Sequence, residues 1–70
     1  MCLTFPYQII RFEDQVTAIA HDLKKQEKRV TISALVDIQI GDWVLVNANL
    51  AMQKIPADEA LELIKLLKQN

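Results

Sequence analysis

A single cysteine among 70 residues leaves no partner for an intramolecular disulfide. The cross-link that usually holds small secreted domains together is excluded, and a reducing, cytoplasmic setting is expected. Asp, Glu, Lys or Arg interrupts every hydrophobic stretch, which excludes a secretory signal core and a membrane span. The one histidine has no second Cys or His at zinc-like spacing, so a structural zinc site is excluded as well. A net charge of -1 and a pI near 5.7 exert no general pull on phosphate backbones or anionic membranes. Neither nucleic acid nor membrane is an expected partner. Glycine occurs once, so there is no Gly-rich phosphate loop, and no serine or cysteine has a general base nearby in sequence. With no paired-carboxylate motif either, and too little chain for a deep active-site cleft, the protein is not expected to be an enzyme. Internal repeats, low-complexity segments and linkers are absent, and residues 1–70 read as one domain.

The chain does have apolar residues, 51% of the total. In so small a body some of this area stays exposed, and such area commonly serves as a protein-binding face. Its arrangement is mostly β. Tyr7 to Phe12 is β-branched and aromatic, bounded by Pro6 and by the turn-forming Glu13-Asp14-Gln15. VTAIAHDL sets Val16, Ala18 and Ala20 against Thr17, Ile19 and His21, the period of a half-buried strand. RVTISALV resumes that alternation through Val30, Ile32 and Ala34, and KKQEK (Lys24 to Lys28) between the two predicts a hairpin turn. A helix through LKKQEKR competes on propensity alone. Gly41-Asp42 announces a strand from Trp43 to Val46, and Ala51 to Ile55 supplies a fifth before Pro56.

After Pro56 the period changes, and Ala60, Leu63, Ile64 and Leu67 fall on one stripe of a helix from about Ala57 to Lys68. Asp58 and Glu59 in its first turn, with Lys65 and Lys68 in its last, suit the helix dipole. Five short strands and one helix predict a mainly β fold, either a strongly bent antiparallel sheet or a partly closed OB-like barrel, over about residues 5–55. His21 reads as a strand residue facing solvent or making an ordinary hydrogen bond, and Trp43 as core. Lys24, Lys25, Lys28 and Arg29 read as a solvated hairpin tip.

The cysteine stands second, in MCLTFP. Free cysteine often serves as a small buried hydrophobe, but the first residues of a domain are a poor place to invest in packing. Loss of Met1 would set an α-ammonium beside the sulfur and favour thiolate, the nucleophilic and metal-binding form. The residues alone leave an inert and a reactive or metal-binding Cys2 equally open.

Three segments together resemble the HypC/HupF family of hydrogenase maturation chaperones. MCLTFP resembles its N-terminal Met-Cys signature, GDWVLVNANLAMQKI its Gly-Asp-Tyr-Val-Leu-Val-His segment, and ADEALELIKLL its closing acidic-then-leucine helix. The likeness runs in order along nearly the whole chain. It implies a small OB-like antiparallel barrel with a C-terminal helix that works as a carrier and chaperone. It further implies a HypD-like iron-sulfur protein and a nickel-iron hydrogenase large-subunit precursor as partners. The implied cargo is an iron fragment bearing cyanide and carbonyl ligands, carried transiently through Cys2 in the partner complex, with no metal expected on the isolated chain. A soft thiolate suits low-spin iron. Leu3, Phe5 and Pro6, on a short arm that Pro6 makes extended, are expected to join Cys2 in the partner-binding surface.

The chain departs from that pattern at four positions. Asn47 stands where the family usually has histidine, Asn49 where glycine is common, Tyr7 for a frequent glycine and Thr4 for a frequent alanine. Asn47 keeps hydrogen-bonding capacity and loses the imidazole's metal-binding nitrogen. Two other classes make different demands. A thiol redox module unrelated to hydrogenase would form mixed disulfides at Cys2 without metal or partner. An OB-type single-strand nucleic-acid binder would need a basic groove with stacking aromatics, and the sequence has neither.

Overall fold

Short strands with alternating burial let a narrow sheet curl until its edges meet, and that is the architecture found. The computed structural model describes residues 4–68. In chain order come β1 (Phe5–Phe12), β2 (Thr17–His21), β3 (Glu27–Thr31), β4 (Trp43–Asn47), β5 (Leu50–Ile55) and α1 (Ala57–Lys68). The strands form a closed barrel in the order β1-β2-β3-β5-β4, the OB-like barrel with a C-terminal helix that the sequence predicts. Four of its five pairings are antiparallel, and the fifth, β3 with β5, is parallel. An odd number of strands cannot alternate direction all the way round a ring. One parallel join is unavoidable, and here it rests on a single pair, Thr31↔Leu50.

Strand β1 starts earlier than expected, because Pro6 lies within it and not ahead of it. The reason is its partners. Phe5 to Gln8 pair with β4, whereas pairing with β2 begins only at Gln8. Pro6 therefore sits where one edge of the strand is free, and its missing N–H costs no ladder bond. The register with β2 slips between Ile9 and Arg11, a bulge that bends β1 from one neighbour to the other. Beside it, Ile9 N–H donates to Asp42 O at 2.9 Å and Gly41 N–H to Ile9 O at 2.8 Å, with Gly41 at φ +96°. That conformation needs glycine's freedom.

The interior is built from Ile9, Ala18, Ala20, Val30, Ile32, Val44, Val46 and Ala51. Fully buried Ile9, Val30, Val44 and Val46 each stabilise the fold by roughly 1.5–3 kcal/mol. Ile19 is buried on the opposite, outer face. It stands between Arg11 and Arg29 in the ladder, whose apolar stems shield it while their heads reach Glu27 and Glu13.

The third strand ends at Thr31, short of the expected Val36. A turn closed by Leu35 N–H to Ile32 O at 3.0 Å redirects the chain, so that Leu35 and Ile38 pack against the core from the end of the barrel while Ala34 is exposed. The hairpin turn lies slightly earlier than Lys24 to Lys28. Asp22 Oδ1 accepts the amides of Lys24 at 2.8 Å and Gln26 at 3.0 Å, which frees Glu27 and Lys28 to begin β3 and leaves no room for the competing helix.

Helix α1 packs on the outside of the barrel across the starts of β1 and the middle of β4. Ala60 and Ile64 are buried and Leu63 half-buried, as the stripe predicts; the Leu67 side chain lies outside the described residues. Among the described residues no helix is long and apolar enough to cross a membrane.

Candidate functional site

The β1–β4 register decides where the N-terminal segment meets the barrel. Pro6 pairs with Leu45 and Phe5 with Val46, so the start of β1 lies beside the end of β4, where Asn47 follows Val46. The sequence separates these residues by some forty positions, and only the ladder brings them together. Cys2 and Leu3, which the sequence assigns to metal and partner binding, lie outside the described residues.

Two grooves flank this point, one on each side of α1. The larger, a cleft of about 570 Å³, is lined by Phe5, Pro6, Tyr7, Leu23 and Ile64, with polar groups from Asp22, Lys24 and Gln26. The smaller, about 280 Å³, is lined by Thr4, Pro6, Leu45, Glu59, Leu63 and Leu66. Pro6 is buried and forms a wall common to both, whereas Phe5 remains 43% exposed at the edge of the larger. Both are paired strand residues of the barrel and not part of the short arm expected around them.

The rim of the larger cleft is polar in a specific way. Its aspartate, Asp22, already serves the hairpin turn through Oδ1. Burial, and secondarily the charge of Asp22, push the Tyr7 phenol above its ordinary pKa, so Tyr7 is neutral at physiological pH and presents an apolar ring with a proton to donate. The Lys28 ammonium lies over that ring, 5.1 Å from its centroid. His21 is half-buried beside the cleft, with Nδ1 2.9 Å from the carbonyl oxygen of Asp22. A carbonyl only accepts, so the proton is on Nδ1 and His21 makes the ordinary hydrogen bond expected of it.

The basic cluster read as a hairpin tip is divided by the fold. Lys24 and Lys25 are exposed at the turn, Arg29 is engaged by Glu13 at 2.5 and 3.2 Å, and Lys28 reaches across to the Tyr7 ring and the Ala48 carbonyl. The Arg29 hydrogen bond holds the Glu13 carboxyl below the usual range. Trp43 is half-buried, paired with Gln8 and Ile55.

An apolar cleft beside the N-terminal segment, on a five-stranded barrel carrying one helix, gives the family likeness a definite structure to be judged on. The family model described as HupF/HypC family matches residues 1–67. The chain belongs to the HupF/HypC family. It is 30% identical over 69 residues to the hydrogenase maturation factor HypC of Azotobacter chroococcum, covering 99% of this chain and 81% of that protein. The HypC of Helicobacter hepaticus is 29% identical over 69 residues, covering 99% of this chain and 80% of its own. That of Cupriavidus necator is 26% identical, covering 99% and 76%.

In this HupF/HypC family member, sequence reasoning missed Tyr7, Leu23, Lys28, Ala48 and Ile64 as neighbours of the site. No local signal marks them, since each is recruited by pairing or packing with a distant element. Asp22 had a signal, because an aspartate at a strand end with amides two and four residues ahead makes an Asx-type turn.

Proposed function

We propose that this chain is a hydrogenase maturation chaperone that presents the Cys2 thiol to a HypD-like iron-sulfur protein and to the large-subunit precursor of a nickel-iron hydrogenase. The observation that carries this reading is the apolar cleft walled by Phe5, Pro6, Tyr7, Leu23 and Ile64 directly beside the point where the N-terminal segment joins β1. Chain connectivity alone keeps the Cys2 Cα within about 7 Å of that of Thr4. A partner seated in the cleft would therefore have the thiol at its surface.

The chemistry follows from the residues. With Met1 removed, the α-ammonium of Cys2 favours thiolate. A thiolate is a soft ligand matched to an iron fragment carrying cyanide and carbonyl ligands, which is the cargo. Phe5 and Leu23 offer apolar area for docking, and Pro6, fixed in φ, limits the entropy lost when the adjoining segment is ordered.

Cys2→Ser tests the reading. In a deletion strain complemented with the variant, hydrogenase activity and the iron content of the co-purified partner complex are expected to fall to background, with the melting temperature unchanged. Retained iron with normal cyanide and carbonyl infrared bands would remove Cys2 from the carrier role.

A further inference from the structure

The parallel seam is the thinnest join of the barrel, resting on Thr31↔Leu50 alone. Two successive carbonyls of the β4–β5 turn are nonetheless held from β3. Thr31 N–H donates to Asn49 O at 2.7 Å, and the Lys28 ammonium donates to Ala48 O. Lys28 shares its face of β3 with buried Val30 and is itself half-buried. Its Nζ also lies 5.1 Å from the Tyr7 ring centroid, so one cation joins β3, β1 and the turn. A charge-assisted bond is stronger than a neutral one, and a cation over an aromatic face is attracted by the ring's negative face. The turn requires such a hold, because Ala48 has φ +58°, a left-handed conformation that alanine disfavours.

We propose that Lys28 is a positioning residue: its ammonium closes the seam where strand pairs are missing, ties the Asn47–Leu50 turn to β1, and thereby steadies Tyr7, a wall of the cleft that a partner engages. The seam role stands on the contacts; the engagement role rests on the maturation reading above. The neighbouring cations do not share it. Lys24 and Lys25 are exposed at the hairpin turn, and Arg29 is held by Glu13.

Adjacent amides of β3 and the residue after it face opposite seams, which makes a local test possible. Thr31 N–H donates to Asn49 O, whereas Ile32 N–H donates to Val16 O at 2.8 Å. In the isolated chain, Lys28→Met is expected to speed hydrogen exchange at Thr31 about tenfold and at Ile32 less than about twofold, because local opening frees only one seam. Lys28→Arg, which keeps a cationic donor, is expected to restore protection at Thr31. Equal acceleration at both amides, or none at Thr31, overturns the seam role. Should Lys28→Met fail to fold, Lys28→Gln is read at the same two amides by the same criterion.

Retention by a HypD-like protein completes the experiment. Lys28→Met is expected to lower it several-fold and Lys28→Arg to restore it. Unchanged retention with accelerated Thr31 exchange supports the seam role and overturns the engagement role. Failure of the unaltered chain to bind that partner overturns the maturation reading instead, and the exchange result still decides the seam.

Discussion

Phe5 pairs with Val46 across the β1–β4 ladder, which sets the start of β1 beside the last residue of β4, Asn47, and beside the turn that follows it. Through this one register the chain's N-terminal segment, the position where the family usually carries histidine, and the cleft along α1 share one end of the barrel.

Phe5 is exposed enough to be spared by the core yet forms the cleft edge. Phe5→Ala is expected to cost only about 1–2 kcal/mol of stability, less than a fully buried phenylalanine would. Pull-down of a HypD-like partner should fall at least about tenfold, as for a truncated aromatic anchor. Thermal melts beside the pull-down check both. A large loss of stability with full partner retention would make Phe5 a core residue.

Asn47 ends β4 half-buried and paired with Leu50. Asparagine can make the polar contact that a histidine would make there, and Asn47→His is expected to leave both the iron content and the cyanide and carbonyl bands of the co-purified complex unchanged. A clear gain in both would show that the imidazole takes part in holding iron.

Ala48 carries a left-handed backbone at the first central position of a two-residue hairpin turn, where glycine is usual. Ala48→Gly relieves that conformation at some cost in chain entropy, for a net gain of about 0.5–1 kcal/mol. Calorimetry should show a melting temperature higher by about 2–8 °C for a domain of this size. A decrease would mean that the turn relaxes on substitution.

Tyr7 is the only tyrosine, so its ionisation can be followed by absorbance without interference. Burial first, and Asp22 second, raise its pKa in the folded state. The neutral phenol therefore contributes stability that is complete below the unfolded value of about 10 and is lost as pH rises through the folded value. The tyrosinate midpoint is expected above 10, and Tyr7→Phe should flatten the alkaline decline in stability. A midpoint at or below 10 would place the phenol in free solvent.

By itself the sequence determined the elements, the fold class and the family. Ala18 and Ala20 on one face of β2 and the stripe of Ala60 and Ile64 are periodicities of near neighbours, and MCLTFP and GDWVLV are contiguous words; such signals survive without knowledge of pairing. Val16, expected on the face of Ala18, is nonetheless exposed ahead of β2, and Ile19 is buried on the other face. Element ends were less legible. Pro6 belongs in β1 because β2 leaves one edge open there, and β3 stops at Thr31 because Leu35 and Ile38 turn back to cover the core.

What only the tertiary structure decided is which distant residues meet. Tyr7, Lys28 and Ala48 come from β1, β3 and a turn, and nothing in the neighbourhood of any one of them points to the other two. Their meeting follows from closing a ring of five strands, which forces a parallel seam and leaves it short of backbone pairs. The cleft beside the N-terminal segment has the same origin, since its walls come from β1, the β2–β3 turn and α1 and exist only once the helix has packed across the barrel.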